Sequence, residues 1–325
     1  MKKTAVAPSN IAFIKYWGRK DEVLRLPTNG SISMNLSNLL TTTTVEFRSD
    51  FEEDTIVLNG KKEDAATSRG VKHLDRIRKL AGIHTKAKVV TENNFPTGTG
   101  LSSSASGFAA LTVAAASAAG LDLSEKELSI LARQGSGSAC RSIPDGFVEW
   151  TDGDTSEDSY ALSLHKPEHW DIVDIVAVVN VGPKDVPTSE GQKSARTSPF
   201  FQVRLKHMTE KIKRMKQLVQ TKDFQAFGEL VEEEALELHA IMLTSVPSLI
   251  YWLPGTVRMM RQVKKWRSEG LQVYFTVNTG QDIHLICQRK DAKKIAQLAG
   301  EMEGVKQVII NEPAEGARLV TKHLF

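Results

Sequence analysis

Alternating apolar and polar residues dominate the first third of the chain, and this period of two is typical of half-buried strands. We expect strands at residues 10–16, 31–36, 41–47 and 87–90. An apolar run within 171–181 is typical of a strand that is buried on both faces. Apolar residues alternate again over 271–277 and 283–287, on either side of a polar turn, which predicts a hairpin. A last strand is expected at 305–310.

Apolar residues spaced three and four apart predict amphipathic helices between these strands. One is expected at 71–80, where Gly82 is a typical helix end. The Ala-rich segment 108–119 predicts a buried helix, and Ser124 has the form of a capping-box residue that begins a helix ending near Gln134. Further helices are expected at 205–215, 224–238 and 258–267 and from Asp291 onward. This mixture of elements predicts an α+β fold.

The length of 325 residues favours two domains over one. The segment 183–199 is polar and contains three prolines, a composition that is typical of a connection between domains. We therefore place the boundary at its start, which gives an N-terminal domain at 1–182 and a C-terminal domain at 183–325.

Composition is ordinary for a soluble globular protein, with 41% hydrophobic and 25% charged residues. The net charge of +3 and the scattered basic residues do not indicate a nucleic-acid partner, although they are compatible with a local site for a small anion. Two cysteines provide neither a disulfide framework nor a metal-spaced cluster. Because we find no secretory signal and no apolar run near the ~20 residues of a membrane span, we expect a cytoplasmic protein without a membrane partner.

The strongest local pattern is Pro96-Thr-Gly-Thr-Gly-Leu-Ser-Ser-Ser-Ala-Ser-Gly107, which continues directly into the Ala-rich helix. Small residues let the backbone approach a ligand closely, and a helix N-terminus offers unpaired N–H groups that suit phosphate. The segment lacks the lysine of the common nucleotide-binding loop, and Gly/Ser-rich stretches are often flexible connectors. From the pattern alone, phosphate binding and a simple connection both stay open.

A second small-residue turn, Gly135-Ser-Gly-Ser-Ala-Cys-Arg-Ser142, presents Arg141. A guanidinium group can hold a carboxylate or a phosphate through two parallel hydrogen bonds. The residues alone equally allow a structural ion pair between Arg141 and an acid such as Asp145.

Lys15 interrupts an otherwise apolar strand in Asn10-Ile-Ala-Phe-Ile-Lys-Tyr-Trp-Gly-Arg-Lys20. It is therefore either buried with a partner or placed at a strand end that faces a cleft. Three cations close to Tyr16 and Trp17 suit an anionic ligand, although both aromatic residues also fit a hydrophobic core.

Taken together, these three segments resemble, in sequence, order and spacing, the mevalonate diphosphate decarboxylase branch of the GHMP superfamily of small-molecule kinases. The segments Lys15-Tyr-Trp-Gly18 and Gly135-Ser-Gly-Ser-Ala-Cys-Arg141 are typical of the decarboxylases rather than of the kinases at large. The likeness extends to Leu238-His-Ala240 and Tyr274-Phe-Thr276 and covers nearly the whole chain. It implies a two-domain GHMP-kinase-like α+β fold, with an N-terminal ribosomal-protein-S5-like domain that binds ATP and a C-terminal ferredoxin-like domain.

In this family, ATP phosphorylates the tertiary 3-hydroxyl of a phosphorylated mevalonate, after which phosphate and CO₂ leave and an isopentenyl product remains. The resemblance implies ATP and Mg²⁺ as cofactors, a small-molecule substrate and a homodimer, without identifying the metal ligands. The residues that it places at ATP are Gly98, Gly100, Leu101, Ser102, Ser103 and Ser104. Those that it places at the substrate are Asn10, Tyr16, Trp17, Arg19 and Ser138.

The catalytic residues that the resemblance implies are Lys15, Arg141 and Asn278. Arg141 would hold the substrate carboxylate, and Lys15 would stabilise charge near the transferred phosphoryl group. Phosphoryl transfer requires mainly positioning and charge neutralisation, which a glycine-rich loop, a lysine and an arginine can supply.

One departure from the family pattern concerns the length of the phosphate chain on the substrate. The family has Ser-Arg after Val-Pro, and its arginine helps to hold the distal phosphate of a diphosphate, whereas this chain has Thr188-Ser189. A charge-assisted hydrogen bond contributes about 1.5–3 kcal/mol. We therefore expect mevalonate 5-phosphate as the substrate and isopentenyl phosphate as the product, with mevalonate 5-diphosphate as the alternative.

A second departure concerns the base. The family's catalytic aspartate aligns with Asn278, and an amide can orient a hydroxyl group but cannot accept its proton. The substitution leaves three explanations. The chain is an inactivated variant, it uses another base such as Asp282, or it phosphorylates the 3-hydroxyl without decarboxylating well. A relative that binds ligands without turnover is a separate alternative from a different functional class.

Overall fold

The computed structural model describes residues 1–64, 68–96, 100–180, 182 and 185–325. The strands are β1 (Lys2–Ile14), β2 (Arg19–Asp21), β3 (Leu26–Pro27), β4 (Ser31–Arg48), β5 (Thr55–Leu58), β6 (Lys61–Lys62), β7 (Lys86–Asn93), β8 (Phe147–Trp150), β9 (Ala161–His165), β10 (Ile172–Val178), β11 (Val273–Thr276), β12 (Ile283–Gln288), β13 (Gln307–Asn311) and β14 (Arg318–Val320). The α-helices are α1 (Arg69–Ala81), α2 (Ser103–Ala118), α3 (Glu125–Gly135), α4 (Thr188–Gly191), α5 (Phe201–Thr221), α6 (Phe224–Thr244), α7 (Pro254–Ser268) and α8 (Arg289–Gly300). Short 3₁₀ helices occupy Gly137–Ser142, Pro167–His169 and Gln192–Thr197.

The larger sheet has the order β14-β1-β4-β7-β5-β6, and β8 and β9 extend it from β4. Its pairs are antiparallel except for β5 and β7. Helix α2 packs on β1 and β4, and its alanines are among the most buried residues of this half. Small side chains allow this close approach, and the Ser9 hydroxyl of β1 donates to the Leu101 carbonyl just ahead of α2 at 2.6 Å.

The smaller sheet is antiparallel, with the order β11-β12-β10-β13. Helices α7 and α8 cover one face around Phe275 and Ile295, and α6 covers the other around Tyr274 and Phe227. The chain enters this sheet with β10, ahead of the expected boundary at 182/183, and returns to the larger sheet with β14. That boundary stays a prediction.

Local sequence patterns predicted several elements closely. Gly82 ends α1 in the left-handed conformation, with φ of 65°. Ser124 begins α3 with a complete capping box, in which its hydroxyl oxygen accepts from the amide of Glu127 and the Glu127 side chain accepts in return. The expected α+β architecture is confirmed.

Other boundaries differ from the expectations. The two strands expected at 31–36 and 41–47 form one continuous strand, β4, which pairs with β1 on both sides of a register shift between Asn35 and Leu40. Strand β1 ends at Ile14, so Lys15 lies just beyond the strand rather than within it. Helix α2 begins at Ser103, before the Ala-rich run expected from 108, and β14 was not predicted. Among the helices of the described residues, none combines the length and the apolar character that a membrane crossing requires.

Candidate active site

A cavity of about 240 Å³ lies where the end of β1, the N-terminus of α2, the Gly137–Ser142 turn, α4, α6 and the turn after β11 meet. Its lining includes five cationic side chains. These are Lys15, Arg19, Arg25, Arg69 and Arg141. No aspartate or glutamate belongs to the lining that residues 1–64, 68–96, 100–180, 182 and 185–325 provide. The cavity is therefore suited to a ligand with several negative charges.

Lys15 is only 1% exposed, and its ammonium nitrogen lies at the wall of this cavity. The Nζ atom donates to the carbonyl of Ala12 at 2.6 Å and to Oδ1 of Asn278 at 3.2 Å. Burial lowers the pKa of Lys15 to about 7; the carboxylate of Glu234 raises this pKa, whereas Arg141 and Arg204 lower it. Lys15 can therefore exist as either the ammonium or the neutral amine near neutral pH.

Asn278 holds the centre of the site together. Its amide nitrogen donates to the hydroxyl of Ser102 at 3.1 Å, and its side-chain oxygen accepts from Lys15. Nε2 of His239 donates to the Asn278 carbonyl at 3.0 Å, while the imidazole stacks on Trp252 with ring centroids 4.7 Å apart. Burial lowers the pKa of His239 to about 3, so this side chain is neutral and positions the turn.

Arg141 is 4% exposed and is held from two sides. It donates to Oδ1 of Asn10 at 3.0 Å and to the hydroxyl of Ser31 at 2.8 Å. Asn10 in turn donates to the hydroxyl of Ser142 at 2.8 Å, which ties β1 to the turn that carries Arg141. In the part of the chain that the structure describes, Arg141 has no carboxylate partner. Its positive charge is thus available to a ligand.

The ion pair between Arg141 and Asp145 that the sequence allowed does not form in the structure. Asp145 forms its ion pair with Lys166 at 2.7 Å and accepts from the amide of Gly316 at the same distance. Cys140, beside Arg141, is fully buried, and burial raises the pKa of its thiol to about 12. Cys140 is therefore a core residue and not a nucleophile.

At the other end of the cavity, the hydroxyl of Tyr16 accepts from Nε of Arg19 at 2.8 Å, and its ring packs on Trp150 with centroids 4.6 Å apart. Tyr16, Arg19 and Ser138 all belong to the lining. Trp17, in contrast, is fully buried in a hydrophobic cluster with Phe201. Its expected contact with substrate stays a prediction, and the structure places its side chain in the core.

The N-terminus of α2 supplies the small-residue wall of the cavity. Gly100, Ser102, Ser103 and Ser104 line the cavity, whereas Leu101 is 2% exposed and packs in the core. Gly100 has φ of 114°, and a Cβ there would meet Cα of Gly280 at 2.6 Å. A glycine is therefore required where this loop touches the turn that carries Asn278. Gly98, which was also expected at ATP, lies outside the described residues.

A second cavity opens on the opposite side of the same loop. Ser103, Ser104 and Arg69 line both cavities, so the N-terminus of α2 separates them. The second cavity has mostly apolar walls, contributed by β5, β7 and α2. Ile56, Val89, Phe108 and Leu111 are among these residues. Its mostly apolar lining suits an aromatic base next to a phosphate-binding helix end.

Arg25 and Arg69 are functional candidates that sequence reasoning missed. Arg25 sits in the turn between β2 and β3 with φ of 53°, and its Nε donates to the carbonyl of Gln134 at 3.1 Å. Burial, followed by repulsion from Arg69 and Arg19, lowers the pKa of Arg25 to about 10. This crowding of guanidinium groups indicates a site that an anion stabilises. Only the folded chain brings them together, since each is an isolated arginine in the sequence.

The two departures from the family pattern both lie at the cavity. Thr188 and Ser189, at the start of α4, belong to its lining, and the Thr188 hydroxyl is 2.8 Å from the hydroxyl of Thr279. Asp282, the suggested replacement base, is 3% exposed and accepts from the amide of Val179 at 2.9 Å. This contact joins the turn to the residue that follows β10, so Asp282 serves the architecture of the turn. Within the described residues, no cluster of His, Cys, Asp or Glu is arranged to hold a metal ion.

Comparison with known proteins agrees with this geometry. The family model for the diphosphomevalonate decarboxylase-like N-terminal domain matches residues 7–161, and that for the mevalonate 5-diphosphate decarboxylase C-terminal domain matches residues 174–316. The diphosphomevalonate decarboxylase of Candida albicans is 37% identical over 91% of this chain and 86% of its own length. The phosphomevalonate decarboxylase of Haloferax volcanii is 33% identical over 97% of each chain.

Solved structures match over almost the whole length as well. MDDEF in complex with MVAPP, AMPPCP and magnesium superposes with a TM-score of 0.92 at 36% identity, covering 99% of both chains. Mevalonate diphosphate decarboxylase from Staphylococcus aureus superposes with a TM-score of 0.92 at 38% identity, covering 98% of both chains. The chain therefore belongs to the diphosphomevalonate decarboxylase family and has its two-domain, GHMP-kinase-like fold.

Proposed function

We propose that this chain is an ATP-dependent decarboxylase that converts mevalonate 5-phosphate into isopentenyl phosphate through phosphorylation of the 3-hydroxyl. The observation that carries the proposal is the pair of cavities on either side of the α2 N-terminus, one cationic and one mostly apolar. This arrangement fits an anionic substrate on one side and a nucleoside on the other, with the phosphates between them. Relatives named as decarboxylases of both phosphorylated mevalonates support it.

ATP would place its base in the apolar cavity and its phosphates along the N-terminus of α2. Backbone N–H groups there carry partial positive charge that favours phosphate oxygens. The hydroxyls of Ser103 and Ser104 and the guanidinium of Arg69 lie at the boundary between the cavities. These groups would hold the triphosphate with its terminal phosphorus directed toward Lys15.

Mg²⁺ would accompany ATP, as it does AMPPCP in the matched structure. Because the described residues contain no carboxylate cluster for a metal, phosphate oxygens and serine hydroxyls such as Ser103 or Ser104 are the fitting oxygen donors. When bound, the ion would neutralise phosphate charge and hold the phosphates in one orientation.

The substrate would lie in the cationic cavity with its carboxylate on Arg141. The planar guanidinium can bind a carboxylate through two hydrogen bonds, and the contacts of Arg141 to Asn10 and Ser31 fix its plane. Ser138 lines the same wall. The 5-phosphate would then face Tyr16, Arg19 and Arg25.

In this arrangement the 3-hydroxyl reaches the position between Lys15 and Asn278. Lys15 contacts the reacting oxygen, and Asn278 orients it by hydrogen bonding. Once the 3-hydroxyl carries a phosphoryl group, it becomes a leaving group. Loss of CO₂ from the substrate then supplies the electron pair for the new double bond as phosphate departs.

The choice of the monophosphate rests on Ser189, which stands where the family has the arginine that helps to hold the distal phosphate. A diphosphate would lack that contact, worth about 1.5–3 kcal/mol. The archaeal relative named for the monophosphate is matched over 97% of both chains, which supports this choice. The alternative, mevalonate 5-diphosphate, is favoured by the additional cations Arg25 and Arg69 at the cavity.

Product analysis tests the proposed activity. The purified chain is supplied with ATP, Mg²⁺ and mevalonate 5-phosphate, and ADP and CO₂ are measured together. Equal release of ADP and CO₂ is expected. ADP without CO₂ would identify a 3-hydroxy kinase, and the absence of both with either phosphorylated mevalonate would contradict catalysis.

A homodimer is also proposed for this chain. The exposed apolar side chains Phe200 and Val203 at the start of α5 lie close to Val246 after α6, since the amide of Val246 donates to the Thr197 hydroxyl at 2.7 Å. A second copy is the partner proposed for this surface. Light scattering of the wild type and of Val246→Glu should give a dimer and a monomer, respectively; a monomeric wild type would contradict the proposal.

A further inference from the structure

The cavity places the amine of Lys15 beside the position where the family has a carboxylate. Nζ of Lys15 lies 3.2 Å from Oδ1 of Asn278, the residue that replaces the family's aspartate. The lining contributed by the described residues contains no Asp or Glu, which leaves Lys15 and Tyr16 as its titratable groups besides the arginines. Tyr16 is an unfavourable base because burial raises the pKa of its hydroxyl, which already accepts from Arg19.

We propose that Lys15, as the neutral amine, is the base that accepts the proton of the substrate's 3-hydroxyl in place of the missing carboxylate. This inference rests on the function proposed above and names the proton acceptor at that same site. Lys15 is thereby a catalytic residue in the strict sense, in contact with the reacting oxygen, while Asn278 orients the amine and the hydroxyl group.

Hydrogen bonding around Nζ fits a neutral amine. A neutral amine has two N–H groups and one lone pair, whereas an ammonium has three N–H groups and none. Among the described residues, Nζ has two acceptors, the carbonyl of Ala12 and Oδ1 of Asn278. Both N–H groups of the amine are then satisfied inside the protein. The lone pair is left to face the cavity, where the substrate hydroxyl would lie.

The charged groups around Lys15 also permit the neutral form. Arg141 and Arg204 oppose a further positive charge, whereas Glu234 and Asp174 favour one. Each of these two carboxylates already has a buried partner. Glu234 accepts two hydrogen bonds from Arg204, and Asp174 lies 2.9 Å from Nδ1 of His284.

His239, the remaining titratable neighbour, is neutral because burial lowers its pKa to about 3. Burial and the two arginines prevail at Lys15, whose pKa falls to about 7. A substantial fraction of the enzyme therefore holds the amine at neutral pH, the condition under which a base is most effective.

The lone pair of Nζ takes the hydroxyl proton as the 3-oxygen forms its bond to the terminal phosphorus of ATP. The bond from that phosphorus to the bridging oxygen breaks, and its electron pair leaves with ADP. Lys15 is then an ammonium beside the new phosphate group, where it neutralises the charge of the departing phosphate as CO₂ is lost.

The pH dependence of kcat distinguishes a base from a fixed cation. If Lys15 must be neutral, kcat rises at least about tenfold from pH 6 to pH 8. Bound phosphates raise the pKa of Lys15 in the complex and move this rise to higher pH, without changing its direction. A kcat that is constant or falls over this interval would overturn the proposal.

Two variants separate the proton acceptor from the positive charge. Lys15→Arg keeps the positive charge, but a guanidinium stays protonated and cannot accept the hydroxyl proton. We therefore expect kcat to fall by about 10²–10⁴-fold. The double variant Lys15→Arg/Asn278→Asp gains a carboxylate that can accept the proton. Its kcat should be at least about tenfold higher than that of Lys15→Arg, and its kcat should not rise with pH near pH 7. A Lys15→Arg enzyme within about threefold of the wild type, or a double variant without recovery, would contradict the base.

A measurement without turnover separates this inference from the proposed function. The ¹³Cε resonance of Lys15, assigned by its loss in Lys15→Arg, should titrate with a midpoint of about 7 in the free protein. A midpoint near the ordinary ~10.4 of lysine would overturn the base while leaving decarboxylation intact. Conversely, a midpoint of about 7 with no ADP or CO₂ from either substrate would overturn the proposed function, and the catalytic step with it.

Discussion

Glu234 and Arg204 form an ion pair whose two side chains are completely buried, with both nitrogen–oxygen distances at 3.0 Å. The pair also holds the backbone of Lys15 from both sides. The amide of Lys15 donates to Oε2 of Glu234 at 3.0 Å, and its carbonyl accepts from Arg204 at 2.9 Å. Helices α5 and α6 thereby fix the residue on which the proposed chemistry depends.

Removing one charge of this pair should destabilise the protein strongly. In Glu234→Gln a buried arginine loses its principal partner, and we expect the free energy of unfolding at pH 7 to fall by about 3–5 kcal/mol. Glu237→Gln is the matched control, because Glu237 binds Arg204 at 2.7 Å and is 28% exposed without contacting Lys15. Urea unfolding of both variants measures the difference, and equal losses would contradict the role given to Glu234.

The same pair predicts how stability depends on acid. Burial alone would raise the pKa of Glu234, but Arg204 and Lys211 lower it to about 2. Because the folded value lies below the unfolded value of ~4.3, this contribution is present above that pH and is lost as the pH falls toward 2. The stability difference between wild type and Glu234→Gln should therefore shrink between pH 5 and pH 2, as urea unfolding at several pH values can determine.

Local patterns predicted the parts of the fold that depend on local physics. The cap at Ser124 and the left-handed Gly82 are set by neighbouring backbone groups, so sequence reasoning located both helix ends. The extent of β4 and the pairing of β14 depend on partner strands far along the chain, which alternation does not reveal.

The candidate site likewise combines residues that local motifs reveal with residues that only the folded chain brings together. Lys15, Arg141 and Asn278 stand in recognisable motifs, and the structure brings them to one cavity. Arg25 and Arg69 have no pattern around them. They reach the cavity because a left-handed turn and the first residue of α1 meet in space. The position of Trp17 in the core likewise depends on Phe201, a residue from the other half of the chain.

Asn278→Asp should raise the pKa of Lys15. The substitution places a negative charge about 3.2 Å from Nζ, and an opposite charge at this distance shifts a pKa by about 1–3 units toward the charged form. NMR titration of the Lys15 ¹³Cε resonance measures the shift, and Asn278→Ala controls for loss of the amide. An unchanged midpoint in the aspartate variant would show that the two side chains do not meet in solution.

Asn10→Ala should weaken substrate binding through Arg141. Without the Asn10 oxygen at 3.0 Å, the Arg141 guanidinium loses one of the two hydrogen bonds that fix its orientation. We therefore expect kcat/KM to fall about 10–100-fold, mainly through an increase in KM. Asn35→Ala is the control, since Asn35 is the cross-strand neighbour of Asn10 and its side chain donates to the Pro144 carbonyl. Similar kinetics for both variants would indicate a purely structural role for Asn10.

Ser189→Arg should shift the substrate preference toward the diphosphate. The new guanidinium would enter the cavity lining and supply a contact worth about 1.5–3 kcal/mol to a distal phosphate. We expect the ratio of kcat/KM for mevalonate 5-diphosphate over the 5-phosphate to increase about 10–100-fold. Ser194→Arg adds the same charge in the following 3₁₀ helix and should leave the ratio unchanged. If both variants changed the ratio equally, the cause would be the added net charge and not a contact with the distal phosphate.

The proposed decarboxylation of mevalonate 5-phosphate can be tested on the wild type itself. The direct measurement is ATP-dependent release of labelled CO₂ from carboxyl-labelled mevalonate 5-phosphate and 5-diphosphate, at matched subsaturating concentrations with one preparation of the wild type. We expect release from both substrates, faster from the monophosphate by about tenfold or more. Faster release from the diphosphate would contradict the assigned substrate, and no release from either would contradict the proposed function.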